Sequence, residues 1–262
     1  MQGFNGFNIT KPYKTAVIPY LDSLDKSTKA CGAANTVVIK DGKWKGYNTD
    51  GAGFMDSLKY HRVNIKDKKI LILGAGGAAR AAVAALLNSR YKFASLSVWN
   101  RTYEKALNLK NSLEQVGQDK GHGDMIRDTK GQEPCPRDPA NHQPPTTNHL
   151  NILQHLPADY KTDIVINCTT AGQHGAVCPL PDGFDYKQLS YCIDLIYNPE
   201  QTAMLRNAAA AGVKMVNGAA MLIFQAVRAQ RLWHNGGISL TNKKIRDIID
   251  KLYHEQNNEQ KI

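Results

Sequence analysis

The sequence predicts an α/β fold built on a doubly wound parallel sheet, and three observations lead to it. The apolar run Ile70-Leu71-Ile72-Leu73 ends in a glycine-rich turn, Gly74-Ala75-Gly76-Gly77-Ala78-Ala79. Beyond the turn, short apolar runs alternate with helical stretches. Ahead of it lie Asn8-Ile9-Thr10-Lys11-Pro12-Tyr13-Lys14 and Gly46-Tyr47-Asn48-Thr49-Asp50-Gly51, which belong to neither pattern and assign residues 1–50 to a smaller lobe.

Taken in order, Ile70–Leu73 reads as a strand covered on both faces, because it is apolar without alternation. Ala78–Leu87 is an alanine-rich helix able to pack closely on a sheet. Leu96–Trp99 is the next strand and Thr102–Leu113 the next helix. Ile164–Cys168 and Cys192–Ile196 are two further strands. Met204–Ala211 is helical, Gly212 stops it, and Val213–Val216 closes the series. Residues 117–150 break the order where a third strand is expected. They hold five of the eleven prolines, with Gly, Asn, Gln and Thr between, and read as a solvated or disordered insertion. Two helices finish the chain. Met221–His234 ends at Gly236-Gly237, and Thr241 caps a second with Ile245, Ile248, Ile249 and Leu252 on one face. The domains expected are 51–224 for a dinucleotide, and 1–50 joined by helices of 225–262 for a substrate.

A formal charge of +10 without a dense basic, aromatic-rich run disfavours nucleic acid. It suits anionic small ligands, and a solvated basic surface explains it equally. No apolar run reaches the roughly 18 residues of a membrane span. The first residues have neither a basic nor an apolar leader segment, so a cytoplasmic location is expected. Five scattered cysteines without a CxxC pair argue against disulfides and zinc. His122, Cys135, His142 and His149 have no ligand-like spacing, and no metal is expected. The sequons at Asn8, Asn100 and Asn167 lie inside stretches read as functional, so glycosylation is not expected there.

The turn after the first strand explains itself through phosphate chemistry. Gly74 permits the tight bend, Gly76 lets backbone approach a pyrophosphate, and Ala79 takes the third position at the helix–sheet contact. Gly77 and Ala78 then open a helix whose free N–H groups face the phosphates. This is a Rossmann-type signature. The second strand ends Asn100-Arg101-Thr102, with Lys105 a turn further, and offers no carboxylate to a ribose 2′-hydroxyl. A guanidinium and an ammonium there suit a 2′-phosphate, so NADP is expected rather than NAD. Hydride delivered to a carbonyl carbon leaves an alkoxide that needs a proton. A lysine of the first upstream stretch and the aspartate of the second could supply it, the alternative being a structural salt bridge.

In their order, Asn8–Lys14, Gly32–Thr36, Tyr47–Gly51, the glycine turn, Asn100–Thr102, Asp194–Pro199 and Gly218–Leu222 with Gln225 resemble the shikimate dehydrogenase family. The resemblance covers nearly the whole chain outside the insertion. It implies NADPH-dependent, reversible reduction of 3-dehydroshikimate to shikimate in the chorismate pathway of aromatic amino-acid synthesis. It implies Lys14 and Asp50 as catalytic residues, and Thr10, Asn35, Asp50, Tyr197 and Gln225 on a small anionic hydroxy acid. Thr169, Leu195 and Gly218 fall around the nicotinamide, beside the turn residues Gly74, Ala75, Gly76, Gly77 and Ala78. The family opens with a strand–helix–strand unit carrying a Ser-x-Ser carboxylate anchor. No such unit precedes Asn8, so an incomplete substrate lobe and poor shikimate turnover are expected. Lys11 stands where the family more often has an apolar residue. A quinate/shikimate dehydrogenase and a non-catalytic dinucleotide-binding derivative are the alternatives, and retention of both Lys14 and Asp50 opposes the second. A monomer or a homodimer is expected.

Overall fold

The computed structural model describes residues 4–118, 149–237 and 240–259. The smaller lobe is a four-stranded sheet of β1 (Gly6–Asn8), β2 (Ser23–Leu24), β3 (Thr36–Lys40) and β4 (Lys43–Tyr47). Its order is β1-β3-β4-β2, with β2 parallel to β4 and the other pairs antiparallel. β3 and β4 close as a hairpin because Asp41 and Gly42 both take positive φ, +52° and +73°, the hand a two-residue turn requires. The short helix α1 (Lys26–Cys31) is capped by the Asp25 carboxylate, which accepts from Ser27 N–H at 2.8 Å.

The larger lobe is a six-stranded parallel sheet: β5 (Lys69–Leu73), β6 (Ser95–Trp99), β7 (Leu150–Leu153), β8 (Ile164–Asn167), β9 (Tyr191–Asp194) and β10 (Lys214–Val216). The order is β10-β9-β8-β5-β6-β7. Helices α3 (Gly77–Leu87), α4 (Tyr103–Gln118) and α5 (Ala203–Ala210) make crossovers. Alternate residues along the central strands enter two separate cores. Ile70, Ile72, Ile164 and Ile166 pack with Ala82, Val83 and Leu86 of α3, whereas Leu71, Leu73 and Val165 pack with Met204, Leu205 and Ala208 of α5. Burial on both faces is why these strands carry no polar alternation, and each such side chain contributes about 1.5–3 kcal/mol.

Two corrections concern the insertion. α4 runs five residues past Leu113, and Leu150 begins the third strand instead of ending a loop. Leu150 pairs with Leu96 and is buried, which a polar approach of this length conceals. Residues 119–148, with His122, Cys135 and His142, lie outside the described residues. Among the described residues no three His, Cys, Asp or Glu gather as metal ligands, the cysteines are free, and no helix is long and apolar enough to cross a membrane.

Two helices join the lobes. α2 (Asp50–Tyr60) leads from β4 to β5, and α6 (Ala219–Trp233) returns from β10. At its end Trp233 Nε1 donates to the Val37 carbonyl at 2.8 Å. The helices cross at Gly53, where a Cβ would stand 2.8 Å from Gln225 N and 2.9 Å from Gln225 Cβ. Arg228 of α6 clasps Asp56 of α2 beside this crossing, Nη2 at 2.7 Å from Oδ2. α7 (Asn242–Glu259) starts with Lys244 N–H donating to Thr241 Oγ1 at 3.3 Å. Ile245 and Ile249 pack on Ala220 and Val227, but Ile248 is 36% exposed. The face centres between Ile245 and Ile249, which leaves Ile248 about 80° off that centre. The side chain of Leu252 lies outside the described ones.

His61 closes α2 against the edge of Tyr60, with its Nε2 buried and unpartnered among the described residues. Burial holds its pKa below the ordinary 6.5. Below that pH the unfolded chain binds the proton more readily, so this group leaves stability untouched above pH 6.5 and erodes it as pH falls towards the folded value. Thermal melts at about pH 7.5 and 5.5 are expected to show a smaller acid loss in His61→Phe than in the parent. Equal losses would show that His61 is not responsible.

Candidate active site

Strand order reverses between β5 and β8, and doubly wound sheets bind ligands outside the carboxyl ends at such a reversal. A cleft of about 970 Å³ opens there. Its floor is the β5–α3 turn, Gly74 to Ala78, with Asn100, Thr169 and Leu195 along its walls. Gly74 has φ +107°, its N–H donates to the Trp99 carbonyl at 2.7 Å, and a Cβ would lie 3.0 Å from Thr169 Cγ2. Only glycine fits between the adjacent strand ends.

This cleft fits a polyanionic dinucleotide. Gly76 is the N-cap of α3 and has no side chain to satisfy the first-turn N–H groups, which stay available to a ligand. A Cβ at Gly76 would meet nothing within 4 Å, so backbone faces open space where a pyrophosphate needs it. Lys11, Lys14 and Arg80 line the cleft, and no described Asp or Glu does. Arg101, Thr102 and Lys105 stand exposed at the end of β6 and the start of α4, outside the cleft lining. Asn100 Nδ2 shapes that turn by donating to the Thr102 carbonyl at 2.8 Å, and neither Arg101 nor Lys105 has an ion-pair partner among the described residues.

One wall is braced from beneath. Asp194 is fully buried, with Oδ1 accepting from Asn167 Nδ2 and Ile196 N–H, both at 3.0 Å, and Oδ2 accepting from Thr202 Oγ1 at 2.7 Å. Asn167 Oδ1 in turn accepts from Thr169 Oγ1 at 2.7 Å. Burial pushes the Asp194 carboxyl above the ordinary range, against the pull of those three hydrogen bonds. Gly218 N–H donates to the Ile196 carbonyl at 3.0 Å, and a Cβ there would collide with the Leu195 carbonyl.

A smaller pocket of about 260 Å³ adjoins the cleft and shares Thr10, Lys14, Ala78, Leu195 and Tyr197 with it. All six residues expected to act on a substrate line it: Thr10, Lys14, Asn35, Asp50, Tyr197 and Gln225. Asp50 opens α2, where the helix dipole favours a carboxylate. Its Oδ2 lies 2.7 Å from Lys14 Nζ, and its Oδ1 accepts from Asn35 Nδ2 at 2.7 Å. The pair is well shielded, the side chains being 19% and 7% exposed. Asn35 is itself held, since its Oδ1 accepts from Thr49 N–H at 2.8 Å and Thr36 Oγ1 at 2.9 Å. Gln225 Oε1 lies 3.4 Å from Asn35 Nδ2, and Tyr197 stands at the rim, 43% exposed.

Sequence reasoning missed Met221 and Leu222, which give the pocket an apolar side, and Thr49, which orients Asn35. Their signal was their place inside motifs already singled out, Gly218–Leu222 and Tyr47–Gly51. An ammonium and a carboxylate facing a small pocket beside a dinucleotide cleft can move a proton at a substrate oxygen.

Known proteins resemble this chain in sequence and in fold. The model of the shikimate dehydrogenase substrate binding domain matches residues 1–37, and that of shikimate/quinate 5-dehydrogenase matches residues 57–122. The chain is 36% identical to a shikimate dehydrogenase (NADP(+)) of Caldicellulosiruptor bescii, over 87% of this chain and 69% of that protein. It is 35% identical to one of Nitrosopumilus maritimus, over 87% and 73%. Among solved structures, shikimate 5-dehydrogenase of Thermus thermophilus in complex with NADP(H) and shikimate superposes with a TM-score of 0.71 at 28% identity, covering 96% of this chain and 80% of that one. The chain therefore belongs to the shikimate dehydrogenase family.

Proposed function

We propose that this chain oxidises shikimate to 3-dehydroshikimate and reduces it back, with NADP as the hydride carrier. The observation that carries the reading is the Lys14–Asp50 pair, 2.7 Å apart in the pocket that adjoins the glycine-lined cleft. The dinucleotide, when bound, supplies the hydride to the carbonyl carbon. Lys14 gives its proton to the oxygen that becomes the hydroxyl, and takes one from it in the other direction. Asp50 holds the ammonium in place and keeps lone pairs facing the pocket for a neighbouring ring hydroxyl. Asn35 and Gln225 orient further hydroxyl groups, Thr10 and Tyr197 close the rim, and Met221 and Leu222 exclude water. Arg101 and Lys105 hold the 2′-phosphate, while Thr169, Leu195 and Gly218 shape the nicotinamide end.

The test is formation of the reduced cofactor, NADPH from NADP or NADH from NAD, by the purified chain with shikimate, quinate or no acid. Shikimate with NADP is expected to be the productive pair. Arg101→Gln is expected to raise KM for NADP about tenfold and to leave KM for NAD unchanged, the loss of one charge-assisted contact. A chain that binds NADP yet shows no shikimate-dependent reduction would refute the reading.

A further inference from the structure

The dinucleotide turn calls on the backbone N–H of Gly77 and leaves its side chain unspecified. The turn needs small residues at Gly74, Gly76 and Ala79, and places no demand on the side chains of positions 77 and 78. Nor does the backbone ask for glycine, because Gly77 is the first residue of α3 and is not among the positive-φ glycines. Alanine is the better helix former there. The reason lies across the cleft. A Cβ on Gly77 would stand 3.3 Å from Lys14 Cδ, 3.7 Å from its Cβ and 4.0 Å from its Cγ, and these are the nearest atoms it would meet. Carbon atoms rest about 3.5–4.0 Å apart, so the stem would have to give way. Lys14 is held at both ends, its Nζ 2.7 Å from Asp50 Oδ2 and its carbonyl accepting from Ala34 N–H at 2.8 Å. The stem must therefore give by a few tenths of an ångström between two fixed ends, one of which is Nζ.

We propose that Gly77 is a positioning residue for Lys14: the side chain it lacks is the space the lysine stem fills. The cofactor turn thereby touches the proton-transferring group directly and sets its reach. This rests on the reading of Lys14 given above. Proton transfer depends on placement within a fraction of an ångström, so a displaced Nζ costs rate and not cofactor binding.

The experiment measures kcat, the Kd of NADPH by fluorescence titration and the melting temperature for Gly77→Ala and Gly77→Val. The expected result is a kcat about tenfold lower for Ala and lower still for Val. The NADPH Kd should stay within about twofold, the melting temperature of Gly77→Ala should not fall, and Gly77→Ala should add no further loss in a Lys14→Met background. An unchanged kcat overturns the inference, as does a raised Kd with kcat intact, which would reserve the glycine for the cofactor. Lys14→Met measured alone separates the two readings. If it keeps the parental kcat, the proton-relay reading fails; if it loses rate while Gly77→Ala does not, only the positioning role fails.

Discussion

Lys14→Met is expected to lower kcat by about 10³-fold, the range of a lost general acid–base group. The NADPH Kd should change far less, because the phosphate turn and its helix are untouched. Removing the ammonium leaves the Asp50 carboxylate, 7% exposed, with Asn35 as its remaining side-chain donor. Stability should therefore fall by about 1–3 kcal/mol, measurable in urea. Lys14→Arg separates the two roles. A guanidinium restores the charge opposite Asp50 but does not release its proton near neutral pH. Lys14→Arg should recover stability and leave turnover low. Recovered turnover would mean that the lysine serves only as a counter-ion.

Gly53→Val is expected to destabilise the protein by about 3 kcal/mol, the upper part of the range for overpacking. The added Cβ would fall 2.8 Å from Gln225 N, a backbone atom that cannot rotate away. α2 must then lift from α6, and the lift separates Asp50 at the start of one helix from Gln225 in the middle of the other. A melting temperature lower by about 8 °C and a reduced kcat are the expected readings for a chain of this size. A loss under about 2 °C would mean that the crossing relaxes without strain.

What could be read from the sequence depended on burial. Ile70–Leu73 and Ile164–Ile166 were legible as strands because a sheet covered on both faces leaves no polar position. Gly74 and Gly76 were legible because a phosphate turn demands them in that order. β7 was not, since four residues at a sheet edge with one partner strand, after a long polar stretch, give periodicity nothing to register. β1 and β2, three and two residues long, are held by their neighbours rather than by their own pattern. Arg101 stands just past β6 and Lys105 in the first turn of α4, and their exposure outside the cleft lining follows from side-chain direction, which spacing does not encode. The meeting of Gly53 with Gln225, and of Gly77 with Lys14, joins residues far apart in the chain. Such pairs exist only once the lobes are assembled.

The buried carboxylate of Asp194 has a mechanical consequence. Thr202 at the start of α5 and Asn167 at the end of β8 both donate to that one group, and Thr169 beyond β8 donates in turn to Asn167. The segments following β8 and β9 are therefore joined at their roots into one lip, through a carboxylate shielded from water. The opposite bank, where Thr10, Lys11 and Pro12 are carried by the smaller lobe, reaches this lip through Lys11 Nζ, 3.4 Å from Gln173 Oε1.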